Sequence, residues 1–313
     1  MKIPTPFNHR LIPSLAIVSI MLYGFLASAN MEAAAAGEKK KFPSRVKFLD
    51  KEIKKEIRLP DFENIVLSGA KEVYFEFTGG PTSLTVISSL ANPLDYLDYS
   101  VQDRTLYLEP TSITYRDAAE ADASGNLLFP NDLITLVIKA PCLKNFVSHD
   151  FFGNFYIGKW DSEAVINMSL CSCGNFFMDS VETNILNISS AGKDKIFIDK
   201  IKTNSCNITN NGQSTLDMNG VEIKAINISC SAESTTLLEG KAANVNYYAS
   251  AGAVVEASEL SADIVNACAT SGASILCDVR RMFRAQAGDN AVILYSGSPT
   301  NVYVSGTVLP LNP

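Results

Sequence analysis

The sequence predicts an all-β protein: a single-stranded, right-handed parallel β-helix with about 20 residues per coil. Three observations predict it. Asparagine returns at Asn167, Asn187, Asn207, Asn227, Asn246 and Asn266, in steps of 20, 20, 20, 19 and 20. Around each asparagine, apolar and polar residues alternate with a period of two, the pattern of a strand with one buried face. Between the strands of each copy stand short turns such as Asn210-Asn211-Gly212 and Thr270-Ser271-Gly272, whose residue types tolerate the positive φ of a tight corner.

Each copy reads alike. Leu186–Asp199 is LNISSAGKDKIFID, and one step later Cys206–Asn219 is CNITNNGQSTLDMN. A first strand holds the asparagine, and a second follows the turn, as at Lys195–Ile198 and Thr215–Met218. A third stretch carries Val181, Ile201 and Val221 in equivalent places. Strands this short cannot enclose a core alone. Stacked on copies of themselves about 4.8 Å apart, they can. Crossovers between parallel strands favour the right hand, and the hexapeptide pattern usual in left-handed β-helices is absent.

Ahead of the repeats, Lys2, His9 and Arg10 precede an apolar run from Leu11 to Leu26, and Ala27-Ser28-Ala29 fits a small-x-small cleavage site. Residues 1–29 therefore read as a secretory signal peptide; the rival reading, an uncleaved anchor, needs a longer apolar run. Residues 30–45 read as a flexible leader, and 46–313 as one β-helix domain without a transmembrane segment. Strand signals at Ile65–Leu67, Val73–Phe77, Leu84–Ile87 and Thr105–Leu108 read as opening coils, and 111–131 as a loop insertion. The expected location is the periplasm, the cell surface or outside the cell.

Several segments together resemble the Bacteroidetes family described as "putative auto-transporter adhesin, head GIN domain". Arg58-Leu59-Pro60-Asp61-Phe62-Glu63-Asn64-Ile65 leads into Val66-Leu67-Ser68-Gly69-Ala70, and Val101–Leu108 follows the family's hairpin pattern. Ala140-Pro141-Cys142-Leu143 precedes the repeats, and Gly297-Ser298-Pro299 closes them, with Ser305-Gly306 after. The resemblance spans roughly residues 53–308. It implies a pectin-lyase-like β-helix without the lyase's catalytic residues, and a role in cell adhesion. Cys171-Ser172-Cys173-Gly174, Lys193-Asp194 and the 111–131 loop depart from the family's pattern and leave the ligand open.

Three outward columns carry the candidate sites. Asn167, Asn187, Asn207 and Asn227 point outward if Leu186 and Ile188 point inward. Their stacked amides form either a register-setting ladder or a polar face for sugar or protein. Tyr156, Phe177, Phe197, Leu238 and Leu276 are expected to form an outward apolar stripe interrupted by Asp217 and Glu256. Such a stripe needs a cover: an N-terminal segment, the 111–131 loop, or a second copy of the chain. Asp179 and Asp199 fall one coil apart and form a weak acidic pair of the kind glycoside hydrolysis or Ca²⁺ binding uses. With Asn219 next in line, strand-end caps explain them as well.

Other chemistry finds little support. A net charge of −7 supplies no basic field for nucleic acid. His149 beside Asp150 is the one histidine after the signal, and no nucleophile motif accompanies it. Most of the seven cysteines replace apolar residues, as small buried hydrophobes do. Cys171-Ser172-Cys173 is half of a metal site with no second half. No catalytic residue, cofactor or metal is expected. The predicted function is a non-catalytic adhesion module that binds a cell-surface protein or glycan, with homo-oligomers possible. The alternatives are a polysaccharide-active β-helix enzyme and a structural envelope protein.

Overall fold

The computed structural model describes residues 48–69, 72–111, 120–121, 127–128 and 133–311. The signal and leader predicted over 1–45 lie outside them. So does most of the predicted insertion, of which Glu120–Ala121 and Leu127–Leu128 form a short antiparallel pair. Strands make up 73% of the described residues. Among the described residues no helix is long and apolar enough to cross a membrane.

The chain winds into about 8 turns of roughly 20 residues, and each turn lays down three strands. On the first face, Asn145–His149 pairs in parallel with the strand through Met168, and then come those of Ile188, Ile208, Ile228, Tyr247 and Ala267. On the second face, Glu72–Phe77, Asn154–Ile157, Asn175–Met178, Lys195–Ile198 and Thr215–Met218 stack in the same way. The third face holds Trp160, Val181, Ile201 and Val221 in one column.

Alternation decides what fills the interior. In Leu186-Asn187-Ile188, the Leu and Ile are buried and the Asn is not. Columns of like residues result, such as Ile166, Leu186, Cys206, Ile226, Val245 and Val265, all buried. Large side chains fill the N-terminal coils: Phe62, Phe146, Phe151, Phe155, Phe176 and Trp160. Towards the C-terminus the same space is lined by Ala257, Ala267, Ala269, Ala273 and Ala285. One inner corner is polar. Asp194, fully buried, accepts hydrogen bonds from the hydroxyls of Ser172 and Ser190, and the hydroxyls of Ser190 and Ser214 are 2.7 Å apart.

Turn chemistry follows two rules. Ser271 and Gly272 both have positive φ, 53° and 74°, a conformation that strains most side chains and suits glycine. Gly192 has no positive φ; it is required by close approach, because a Cβ there would sit 2.0 Å from the Ser172 carbonyl oxygen.

The opening segment differs from the expectation. Ile65–Leu67 and Val73–Phe77 do belong to a coil, but Ser83–Leu90 runs antiparallel to both Phe48–Arg58 and Ile134–Ala140. Leu97–Gln102 and Thr105–Pro110 form a hairpin beside Asn64–Leu67. Short strands with matching alternation look alike in sequence whether they pair in parallel or antiparallel. The N-terminal end therefore mixes both kinds of pairing: Thr105–Leu108 stacks in parallel on Asn64–Leu67, and Ile134–Ala140 on Glu72–Phe77, as coils do, while Phe48–Arg58, Ser83–Leu90 and Leu97–Gln102 add antiparallel strands that cap it.

Trp160 is the only tryptophan. It is fully buried, and its indole N–H donates to the Leu143 carbonyl at 2.8 Å. Phe176 packs against Phe146, Phe151 and Phe155 nearby. Phe176→Ala is expected to cost about 3–5 kcal/mol, measured as a lowered urea midpoint with Trp160 fluorescence as the probe.

Candidate functional site

The three faces present three different chemistries. On the first face the asparagines form a continuous ladder. Each side-chain Nδ2 donates to the Oδ1 one coil before: Asn167 to Asn145 (2.7 Å), Asn187 to Asn167 (2.8 Å), Asn207 to Asn187 (2.9 Å), Asn227 to Asn207 (2.9 Å), Asn246 to Asn227 (2.7 Å) and Asn266 to Asn246 (2.9 Å). Asn145 donates in turn to Asn64, which ends the ladder on Thr105. Beside it run Ser169, Ser189, Thr209 and Ser229, paired in register. Arg284 takes the place after Asn266, and its guanidinium lies 5.8 Å from the centre of the Tyr303 ring.

Asn64 and Asn145 were not legible in the repeat. Asn145 stands 22 residues before Asn167, outside the 19- and 20-residue steps, and Asn64 lies a further 81 residues back because the N-terminal caps are inserted between them. The local sign that could have found them is an apolar residue following each asparagine, Ile65 and Phe146.

On the second face the rings of Tyr74, Tyr156, Phe177 and Phe197 stack. Centroids are 4.8, 5.0 and 5.3 Å apart and the planes lie within 12° of parallel. Stacked this way, the rings cover one another's faces and present edges to solvent; Tyr74, at the end, is 39% exposed. The next places are Asp217, Leu237, Glu256 and Leu276. The structure thus corrects one expected member. Leu238 is buried, pairs with Met218 and belongs to the core, while Leu237 faces out. A shift of one residue exchanges the two faces of a strand, so adjacent leucines are easily misassigned. Tyr74 is the ring that sequence reasoning missed, again because the caps break the period.

Hydrogen-bonding groups flank the rings. Asn175 donates to Asn154 (2.8 Å), and Asn154 donates to Glu72 (2.7 Å). Burial, and next to it the Glu72 carboxylate, raise the Tyr74 and Tyr156 hydroxyls above the ordinary phenol range. On the other side stand Asp179 and Asp199, each two residues beyond a ring, both exposed. Their strands pair one coil apart, Met178 with Ile198 and Val181 with Ile201. Gly158 holds the same place in the coil before them. Among the described residues no group of three or more His, Cys, Asp or Glu is arranged to hold a metal ion.

The third face is charged. Asp161, Glu182, Lys202, Glu222 and Lys241 follow one another in register, and Lys202 pairs with Glu182 at 3.0 Å. Farther along, Glu222, Lys224, Lys241, Asp263 and Arg280 line a shallow depression of about 300 Å³. His149 lies 4.0 Å from both Glu109 and Asp150 at the surface.

The cysteines divide by burial. Cys206, Cys230 and Cys277 are core residues, whereas Cys171 and Cys173 are exposed, so the expected burial fails for that pair. Burial pushes the thiols of Cys206 and Cys277 up to about 12 and that of Cys230 to about 11.

Flat faces built from stacked coils make this molecule a β-solenoid. Residues 172–299 match the family model described as "Putative auto-transporter adhesin, head GIN domain", so the resemblance read from the sequence holds over the regular coils. Three solved structures share the fold. A "putative lipid binding protein" from Parabacteroides distasonis is 16% identical, covers 86% of this chain and 100% of its own, and has a TM-score of 0.58. A "putative adhesin" from Parabacteroides merdae is 17% identical with 86% and 100% covered and a TM-score of 0.56. Another, from P. distasonis, is 16% identical with 85% and 100% covered and a TM-score of 0.55. No curated protein matches the sequence significantly.

Asn187→Ala removes two ladder bonds, at a net cost of about 1–2 kcal/mol. Asn204→Ala removes only the exposed bond to Asn184, so its urea midpoint should shift less. In the reduced native protein at pH 8, Cys171 and Cys173 should react with a thiol reagent first, and Cys206, Cys230 and Cys277 only after unfolding. The buried thiols also tie stability to pH. Unfolded, they ionise near the ordinary value of 9.0, but folded they stay protonated to about 11 or 12. Their contribution is complete below pH 9 and is lost as pH rises through that window, which urea titrations between pH 8 and 11 would show.

Proposed function

We propose that this chain is an exported, non-catalytic adhesion module that holds an extended glycan along the aromatic ladder of its second face. One observation carries the reading. The stacked rings of Tyr74, Tyr156, Phe177 and Phe197 form an apolar row, with amides and a carboxylate on one side (Asn154, Asn175, Glu72) and Asp179 and Asp199 on the other. An apolar strip between two rows of hydrogen-bonding groups suits a sugar chain, whose C–H patches and hydroxyls alternate along its length. Because ring edges rather than faces are offered, the affinity comes from many weak contacts along the row.

Several things support display rather than turnover. The matched family and two of the three similar structures are described as adhesins, the third as a lipid binding protein. Asp179 and Asp199 are both exposed on a flat face, without the enclosing pocket that sets two carboxylates apart as acid and base. The signal read over residues 1–29 and the adhesin family fit an exported or surface location.

The test is incubation of the purified protein with pectin and host glycans, with and without Ca²⁺. Retention without release of reducing or unsaturated ends is expected. The double variant Phe177→Ser, Phe197→Ser should weaken retention by about tenfold or more, as for other aromatic contact residues. Product release would instead mark a polysaccharide-active enzyme. Absence of retention on every glycan and cell surface tested would leave a structural envelope role.

A further inference from the structure

The two ends of the solenoid differ in a way the proposed ligand face does not explain. At the N-terminal end the outermost strand of the second face is Phe48–Arg58, FLDKEIKKEIR. Among the described residues it pairs on one side only, with Ser83–Leu90. Lys51, Glu52, Lys54, Glu56 and Arg58 are exposed along it. Charges on an open edge are how natural sheets prevent another strand from adding to them.

The C-terminal end has no such protection. Asn301–Ser305 is exposed at every residue and, among the described residues, pairs only with the strand Ser274–Ala287. Val308–Pro310 pairs only with Val292–Gly297. Both leave one row of backbone N–H and C=O groups open. Val302 and Val304 stand over Phe283 and Ala285, which are buried. They occupy core positions of a last coil that no further coil covers, at 42% and 47% exposure. Leu309 is exposed as well. From Asn290 to Pro313 the sequence contains no Asp, Glu, Lys, Arg or His, in a chain of net charge −7.

We infer that the C-terminal end is a self-association surface, on which a second copy of this chain docks C-terminus to C-terminus. An uncharged end is complementary to itself: two such ends meet without like-charge repulsion, and each supplies strand edge and apolar cover to the other. Docking it on the N-terminal end instead would bury the charges of Phe48–Arg58 against a surface with no counter-charge, which is costly. The contact therefore closes as a two-fold dimer and does not propagate into a filament. The dimer doubles the length of the solenoid and sets two copies of the aromatic ladder on one particle.

Light-scattering mass across a concentration series tests this. The purified protein should give twice the monomer mass. Val304→Lys and, separately, Leu309→Lys should each weaken the dimer by about tenfold or more, since each puts an unpaired charge into the contact. Trp160 fluorescence and circular dichroism establish that each variant is folded; Leu309→Lys lies outside the core and keeps the test valid if Val304→Lys unfolds. Phe177→Ser, Phe197→Ser should leave the dimer intact, separating this contact from the glycan-binding reading. A monomer at every concentration up to about 100 µM, far above the Kd of specific dimers, would overturn the inference. So would a dimer insensitive to both lysine variants, or one abolished by the ladder variant, or an open series of higher oligomers.

Discussion

The fold rests on register between coils. Each turn must return to the same phase as the one below, because a slip of one residue would place every core side chain in water. The interior has no other organising element. It is the sum of columns such as Ile166, Leu186, Cys206 and Ile226, and a column exists only if the turns agree. The asparagine ladder reinforces that agreement from outside, since each amide finds its partner only when the neighbouring coil is in phase. The one short step, from Asn227 to Asn246, shows where a deletion is tolerated. It is absorbed on the third face, where Val221 pairs with Gly240 after a break in register. A Cβ at Gly240 would come within 2.4 Å of the Val221 carbonyl oxygen. The ladder and the second-face strands pass through that coil without losing their partners.

The same register gives each face a uniform chemistry. Repetition at 20 residues turns a single outward residue type into a stripe. The first face is amide and hydroxyl, the second is aromatic at its N-terminal half, and the third mixes acid and base. There Lys159 contacts both Asp161 and Glu182, and Lys202 pairs with Glu182; exposed pairs of this kind contribute little stability. The second face also carries carboxylates, Glu72, Asp179 and Asp199, beside its rings, whereas the first-face ladder is uncharged from Asn64 to Asn266.

The interior departs from uniformity in two ways that bear on stability. Aromatic side chains fill the early coils and alanines the late ones, so the cross-section holds less side-chain volume towards the C-terminus. One corner carries Ser172, Ser190, Asp194, Ser214 and Asn210 in a buried hydrogen-bonded run. The hydroxyls, the Asp194 carboxylate and the Asn210 Nδ2 find partners within the corner and in the adjacent coils, which again requires the coils to be in phase; the Asn210 Oδ1 is buried without one.

The sequence by itself determined the repeat, the alternation and hence which face of each regular strand is buried. These are local properties, written as periods of 2 and 20, and they also placed Val181, Ile201 and Val221 on a common third face. It could not show that Ser83–Leu90 pairs antiparallel, since alternation is identical in both arrangements. Nor could it join Asn64 to Asn145 or Tyr74 to Tyr156 across the inserted caps, or choose between Leu237 and Leu238. It also set Cys171 and Cys173 apart only by their spacing, and not by the exposed corner they occupy while Cys206 lies in the core. Each of these depends on which segments become neighbours after the chain has wound, and neighbourhood across a long insertion leaves no periodic trace. The stacking of four rings into one row, and the contrast between a charged first edge and an uncharged last one, exist only once the coils are assembled.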